Sequence, residues 1–374
     1  MLRFLTAGES HGKCLVGILE GMPSGLRIEQ AGIDRELARR QKGYGRGGRM
    51  KIEKDKVAIL SGVRKGRTLG SPIALMVENK DFSINTLAKI VSPRPGHADL
   101  AGALKYNTAD MRDILERASA RETAMRVAIG ALCKALIQEI GVDIVSHVLS
   151  IGKVCAHCEG LSIAAIHKRA EHSLFSCADK KAESAMKAEI DRVKDTGDTL
   201  GGILEVIAVG VPFGLGSLMH WDRRLDSTLA GGLMSIPAVK GVEIGAGFIG
   251  AFQRGSQVHD PIFYSKALGF WRKTNHAGGL EGGMTNGQPV VIRCAMKPIA
   301  TLGEPLASVN IKTKQVQAAA VERADVCAVA AAAVVAESVV SFCLAQAGLE
   351  KFGGDSLGEF RRNYQGYLKQ VKAM

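Results

Sequence analysis

The sequence is poor in aromatic residues, which make up 5% of 374 positions and include only two tryptophans. Proteins that stack exposed bases draw on such side chains, so their scarcity weighs against single-stranded nucleic-acid binding. Proline is sparse at 10 residues, and the 44 glycines form no periodic or low-complexity tract, which excludes a collagen-like chain. The longest apolar run, Val326 to Ala336, stops at Glu337 and falls short of a bilayer-spanning segment. The opening MLRFLTAGESHG has no basic segment followed by an apolar stretch, so no signal peptide is expected. Eight cysteines follow no framework spacing, and reduced thiols in a cytoplasm are the expectation. No phosphate-loop fingerprint occurs, and no G-x-G-x-x-G opens a convincing strand–helix–strand unit, which argues against the common nucleotide folds.

What remains is a chain that is 46% apolar and 23% charged, enough to bury a sizeable core and too apolar to be disordered. Its net charge is +12, and the excess is local. Between Arg39 and Arg67 stand eleven Lys/Arg and two Asp/Glu. A focused patch of this kind points to an anionic partner, either nucleic acid or a multiply charged small molecule.

Two stretches of the chain repeat one another. GESHGKCLVGILEGMPSGL (8–26) aligns with GDTLGGILEVIAVGVPFGL (197–215) at a constant offset of 189. GRTLGSPIALMVENK (66–80) aligns with GMTNGQPVVIRCAMK (283–297), and the block from Arg117 aligns with that from Arg323. Three pairs in one order suggest a duplicated unit of strand, turn, strand and helix, hence one pseudo-two-fold domain over 1–374. Its halves span about 1–145 and 196–360, with a charged helical insertion at about 150–195. His11 aligns with Leu200 and Ser119 with Asp325, so a site at the junction would draw different groups from each half.

Strand patterns cover Cys14–Leu19, Val57–Leu60, Ile73–Val77, Leu204–Val211 and Val290–Ala295. Helical patterns cover Gln30–Gln41, Ala118–Ile140, about 162–194 and Ala324–Ala347, with Gly141 and Gly348 as expected C-caps. The Ala-rich helices at 118 and 324 read as buried between layers; the 162–194 helix and the tail beyond Phe360 read as exposed.

Four segments carry candidate chemistry. Ser10 and His11 stand between Gly8 and Gly12, where a turn brings a hydroxyl and a proton-transfer group close to a ligand. Arg39 to Arg49 alternates arginine and glycine: guanidinium forks bind carboxylates and phosphates, and the glycines leave the anion unobstructed. The same stretch also fits an RNA-contacting loop. His97 lies in the Pro-framed loop Arg94-Pro95-Gly96-His97-Ala98-Asp99 and suits a fixed proton donor. Ser119 follows Arg117-Ala118 at a helix start, a place that attracts anions. Cys155 and Cys158 have no partner pair at zinc-site spacing, so no metal is expected.

Together these segments resemble the chorismate synthase family. GESHG (8–12), RRQKGYGRGGRMKIEKD (39–55), RPGHAD (94–99), ERASARETAMRVA (116–128), GVEIGAGF (241–248) and TNHAGGLEGG (274–283) through MKP (296–298) stand in family order across nearly the whole chain. The resemblance implies an α+β fold, a β-α-β sandwich with helices between antiparallel sheets. It also implies a cytoplasmic homotetramer, with no nucleic acid or membrane partner. The implied activity is an anti-1,4-elimination of phosphate from 5-enolpyruvylshikimate 3-phosphate, giving chorismate, with reduced FMN and no net redox change.

By resemblance, Arg40, Arg46, Arg49, Arg121 and Arg323 face the substrate. His11, with Ser10 beside it, protonates the departing phosphate; His97 manages flavin protonation; Asp325 and Ser119 complete the catalytic set. FMN contacts would be Arg117, Ala118, Ser119, Pro237, Ala238, Gly282, Lys297, Pro298, Ile299, Ala300, Thr301 and Arg323. The family also links Arg40 and Arg46 to NADPH, although in a one-function enzyme they suit substrate better. Family members often have Ser, Asn and His where this chain has Ala118, Pro237 and Ala324, which implies altered flavin affinity. The competing readings are a basic RNA-binding protein and an NADPH-linked flavin reductase.

Overall fold

The computed structural model describes residues 1–48 and 53–374. Alternating burial along the strands builds two antiparallel sheets. The first contains β1 (Arg3–Ala7), β2 (Cys14–Glu20), β3 (Val57–Ile59) and β4 (Ile73–Glu78), in the order β1-β2-β4-β3. Leu15 and Leu19 of β2 and Ile73, Leu75 and Val77 of β4 turn inward, as a period of two requires. The second contains β5 (Asp143–Ile151), β6 (Val154–Cys155), β7 (Gly202–Val209), β8 (Val239–Ile244) and β9 (Val290–Met296), in the order β8-β9-β7-β5-β6.

Nine helices are needed to follow the site: α1 (Gln30–Gln41), α2 (Asp99–Tyr106), α3 (Arg112–Ala118), α4 (Thr123–Gln138), α5 (Ile163–His172), α6 (Lys180–Asp195), α7 (Leu225–Met234), α8 (Val329–Phe352) and α9 (Leu357–Ala373). α4 packs on β2 and β4, α8 packs on β5 and β7, and the two helices pack on each other between the sheets. Small residues allow this close approach. A Cβ at Gly130 would sit 2.3 Å from the Ser338 Cβ, and one at Gly17 would sit 2.7 Å from the Met125 sulfur. α8 is long and apolar enough to cross a bilayer, yet 89% of its most apolar window is buried inside this sandwich. The fold is therefore α+β, two antiparallel sheets enclosing helices.

The turns after β2 and β7 are latched in the same way. Thr68 Oγ1 donates to Pro23 O at 2.6 Å and accepts from Leu26 N at 2.9 Å. Thr285 Oγ1 donates to Pro212 O at 2.6 Å and accepts from Leu215 N at 2.8 Å. Gly25 and Gly214, at φ +89° and +75°, supply the left-handed residue each turn needs.

Three expected helices differ from those observed. The 118–140 helix is broken at Ser119, whose extended backbone and hydroxyl cap a short turn over Ala120–Glu122 before α4 begins. The 162–194 helix is two helices, because Ser173 and Asp179 accept backbone N–H groups in the gap. α6 is also half-buried rather than exposed: Ala182, Met186, Ile190 and Val193 form one apolar stripe. The last core helix starts at Val329, since Asp325 and Val326 are held by the 45–47 loop, and it runs past Gly348 to Gly353.

Candidate active site

The turn between β1 and β2 carries Ser10 and His11. Gly8 takes φ +106°, and a Cβ there would lie 2.4 Å from Cys14 O, so only glycine fits. Glu116 of α3 accepts from the His11 backbone N–H at 2.6 Å and faces its ring Nδ1 at 2.8 Å. Burial pushes the Glu116 carboxyl up, but these hydrogen bonds outweigh it and hold it below its ordinary value. The ionised carboxylate accepts the Nδ1 proton, which makes Nε2 the ring nitrogen for chemistry. Ser10 is buried, its N–H bonded to Glu116 O at 2.9 Å.

A cluster of buried cations follows. Arg40 is in the last turn of α1; its Nε donates to Thr123 Oγ1 at 3.0 Å and its Nη2 to Ala120 O at 2.9 Å. Arg121 donates through Nη1 to both oxygens of Asp55, at 2.7 and 2.8 Å. Asp55 also lies 3.6 Å from Arg40, so one carboxylate serves two guanidiniums. Arg40 Nη1 and Arg121 Nη2 are buried with no hydrogen-bond partner among the described residues. Burial pushes Arg40 down to about 9; Asp55 opposes this, and Arg46 and Arg121 add to it. Its charge is thus held at a cost that a bound anion would relieve.

Arg46 joins the cluster, with Nε 3.0 Å from Asp325, and Gly47 N donates to the same carboxylate at 2.6 Å. Arg323 is more exposed and pairs with Asp81 at 3.0 Å. Arg49 lies outside the described residues.

His97 belongs to a second cluster. Asp99, at the start of α2, meets His97 Nδ1 at 2.5 Å and accepts from Arg94 Nε at 2.8 Å. Burial raises the Asp99 carboxyl, but His97 and Arg94 outweigh that and hold it well below the carboxylate range. Arg94 also donates to Thr301 Oγ1 at 2.7 Å, and Lys297 Nζ donates to Gly96 O at 2.8 Å. The 297–301 segment is thereby tied to the His97 loop. Lys297 N bonds to Ala238 O at 2.9 Å, and Thr199 Oγ1 to Ile299 O at 2.7 Å. Pro298 packs where Gly201 lets the chain approach, and Ala300 faces Gly96.

A cavity of about 350 Å³ is lined by Thr6, Arg117, Ala118, Ser119, Arg126 and Pro237, together with Phe4, Leu5 and Glu122. Arg117 is fixed at its rim by bonds to Gly8 O and Thr6 O at 2.9 and 3.0 Å. Gly282 sits in the turn of the 280–285 hairpin. Its turn packs through Gly283 on Ser217 and Arg224, and a Cβ at Gly282 would meet nothing within 4 Å.

Sequence reasoning missed Glu116, Asp55, Asn79, Arg94 and Asp99 as parts of these clusters. Asp99 stands in the quoted RPGHAD segment, and only its short spacing to His97 hinted at a pair. Glu116 opens the quoted 116–128 segment and Asn79 lies in the quoted 66–80 repeat, but their partners are distant along the chain, so neither role is legible from sequence alone. Among the described residues, no three His, Cys, Asp or Glu side chains are grouped to hold a metal ion.

Buried guanidiniums with unused donors and an imidazole paired to a carboxylate make the kind of site that suits an anionic ligand. A family model described as chorismate synthase matches residues 2–349. The chain is 56% identical over 388 aligned residues to the chorismate synthase of Symbiobacterium thermophilum, covering 99% of each. It is 55% identical to that of Desulforudis audaxviator, covering 100% of this chain and 99% of the relative. A crystal structure of chorismate synthase shares a TM-score of 0.84 at 44% identity, over 100% of this chain and 99% of that one. The chain belongs to the chorismate synthase family. It is a carbon–oxygen lyase that removes phosphate from 5-enolpyruvylshikimate 3-phosphate by 1,4-elimination, giving chorismate. These findings lend no support to the RNA-binding or flavin-reductase readings.

Proposed function

We propose that Arg40, Arg46, Arg121 and Arg323 hold the carboxylates and phosphate of the substrate, with Arg49 given the same role from its sequence segment alone, and that His11 protonates the leaving phosphate. The observation that carries this is the pair of buried guanidinium nitrogens without hydrogen-bond partners, Arg40 Nη1 and Arg121 Nη2. Two such donors on neighbouring guanidiniums that share one carboxylate suit an incoming anion. Arg40 and Arg46 are assigned to substrate rather than NADPH because both are turned inward, towards Asp55 and Asp325.

The residues present fit reduced FMN. The cavity beside Arg117, Ala118, Ser119 and Pro237 has apolar walls from Phe4 and Leu5 and cations at its edge. Lys297 through Thr301, with Ala238, form a backbone cradle next to His97. Arg323 and Gly282 complete the flavin contacts in this reading; a Cβ at Gly282 would meet nothing within 4 Å, which leaves room there for a ligand. When bound, reduced FMN supplies electron density that weakens the C–O bond and a nitrogen that accepts the ring proton.

The chain's own groups do the rest. Glu116 orients His11 so that Nε2–H meets the phosphate as the C–O bond breaks. Ser10 anchors that turn, and Ser119 shapes the one that presents Arg121. Asp325, held by Arg46 and Gly47 N–H, is an anionic acceptor suited to assist that nitrogen by taking the proton on from it. Asp99 fixes the His97 ring, leaving its far nitrogen to hold or release a proton.

We further read the matched Thr68 and Thr285 latches as support for two duplicated halves within one domain, with α5 and α6 inserted between them. Exposed apolar surface supports self-association, read here as a homotetramer: Leu5 and Ile18 on the first sheet, Phe263 and Tyr264 on a surface hairpin. Anaerobic incubation with reduced FMN and substrate tests the reading. Phosphate release that needs both is expected, and no release would refute it.

A further inference from the structure

We propose that Asn79 is a positioning residue for the elimination, coupling the His11 turn to the Arg121 clamp so that acid and cation are held as one unit. Asn79 follows β4 directly and is 1% exposed. Its backbone N–H donates to Lys13 O at 3.0 Å, which fixes its place relative to the sheet. Its Nδ2 faces three carbonyl oxygens of the acid-bearing turn: Gly12 at 2.7 Å, Glu9 at 3.2 Å and Ser10 at 3.3 Å. Its Oδ1 accepts from Arg121 Nε at 2.9 Å.

The chemistry on each side fixes the amide's orientation. Three carbonyls demand a donor, and a guanidinium demands an acceptor. Two of the carbonyls, those of Ser10 and Gly12, bracket His11 in the chain. The Arg121 tether at Nε orients the same guanidinium whose Nη2 has no hydrogen-bond partner. Movement of His11 relative to Arg121 therefore breaks bonds to one buried side chain. Aspartate would set a carboxylate against three carbonyls, alanine would sever both links, and glutamine would not fit the same span. Misplacement of a reacting group by about 1 Å costs on the order of 100-fold in rate, which makes such a brace functionally significant.

The inference rests on the roles proposed for His11 and Arg121, so the test is a pair of double-mutant cycles. Asn79→Ala is measured alone, in the His11→Ala background and in the Arg121→Lys background, with thermal melts on each. Alone it should lower kcat about 100-fold and raise KM for the substrate about 10-fold. Its effect on kcat should shrink to within about 3-fold once His11 is gone, and its effect on KM to within about 3-fold once Arg121 is replaced. Losses of the same size in every background would mark a general structural role and overturn the proposal, as would a folded Asn79→Ala enzyme with kcat near wild type. If Asn79→Ala does not fold, Asn79→Ser carries the same cycles with the same criteria. Near-normal turnover by His11→Ala would instead refute the site reading on which the inference stands.

Discussion

Glu116 grips His11 twice: one carboxylate oxygen accepts the backbone N–H at 2.6 Å and the other meets ring Nδ1 at 2.8 Å. The residues are 105 positions apart, and the ring can neither rotate nor change tautomer without breaking this pairing. The grip turns a glycine-flanked histidine into an oriented acid.

Glu116→Gln tests the grip. The amide keeps the shape but cannot accept two donors with full charge, so kcat should fall about 10- to 100-fold with KM little changed. The wild-type carboxyl sits below its ordinary value of 4.5, so its stabilising contribution is present above that pH and lost as pH falls through the lowered value. Melting curves at descending pH should show a steeper acid loss in wild type than in the variant. Parallel curves would contradict the assignment.

His11→Ala should lower turnover by about two to four powers of ten, the usual scale for a proton donor, without unfolding the chain. Near-normal phosphate release by the purified variant would refute the role.

Much of this was legible beforehand, for physical reasons. β2, β4 and α1 fall where apolar periodicity puts them, since local pattern alone decides such elements. Candidate residues Arg40, Arg46, Arg121 and His11 stood in glycine-rich or basic segments that pattern reading finds. Their partners did not. Asp55 lies inside the basic stretch and looked like charge dilution, whereas it is the carboxylate shared by Arg40 and Arg121. The late start of α8 was hidden too, because the bonds holding Asp325 and Val326 out of the helix come from residues 45–47.

Glu337 offers a stability test outside the reacting groups. It lies buried on α8, accepting from Arg39 at 2.9 Å, Lys134 at 2.5 Å and Ser146 at 2.8 Å. Burial raises this carboxyl, yet Lys134 and Arg39 outweigh it and bring it down to about 2. Its contribution is therefore complete above the ordinary 4.5 and vanishes as pH falls towards 2. Glu337→Gln leaves two half-buried cations short of their main anion and should cost about 3 kcal/mol at neutral pH, with the deficit narrowing in acid. Chemical denaturation across that range checks it, and a pH-independent deficit would count against the account.

Asp325→Asn keeps the bond from Gly47 N–H but removes the charge facing Arg46. Single-turnover measurements should show slower proton removal, by about 10- to 1,000-fold, with substrate affinity held or improved because Arg46 loses its internal anion. An unchanged single-turnover rate would exclude Asp325 from proton transfer.

The most direct measurement is a crystal structure with substrate and FMN bound together. The account predicts phosphate or carboxylate oxygens within hydrogen-bonding distance of Arg40 Nη1 and Arg121 Nη2, with the phosphate beside His11 Nε2. A substrate seated elsewhere, with those two nitrogens still lacking a hydrogen-bond partner, would contradict it.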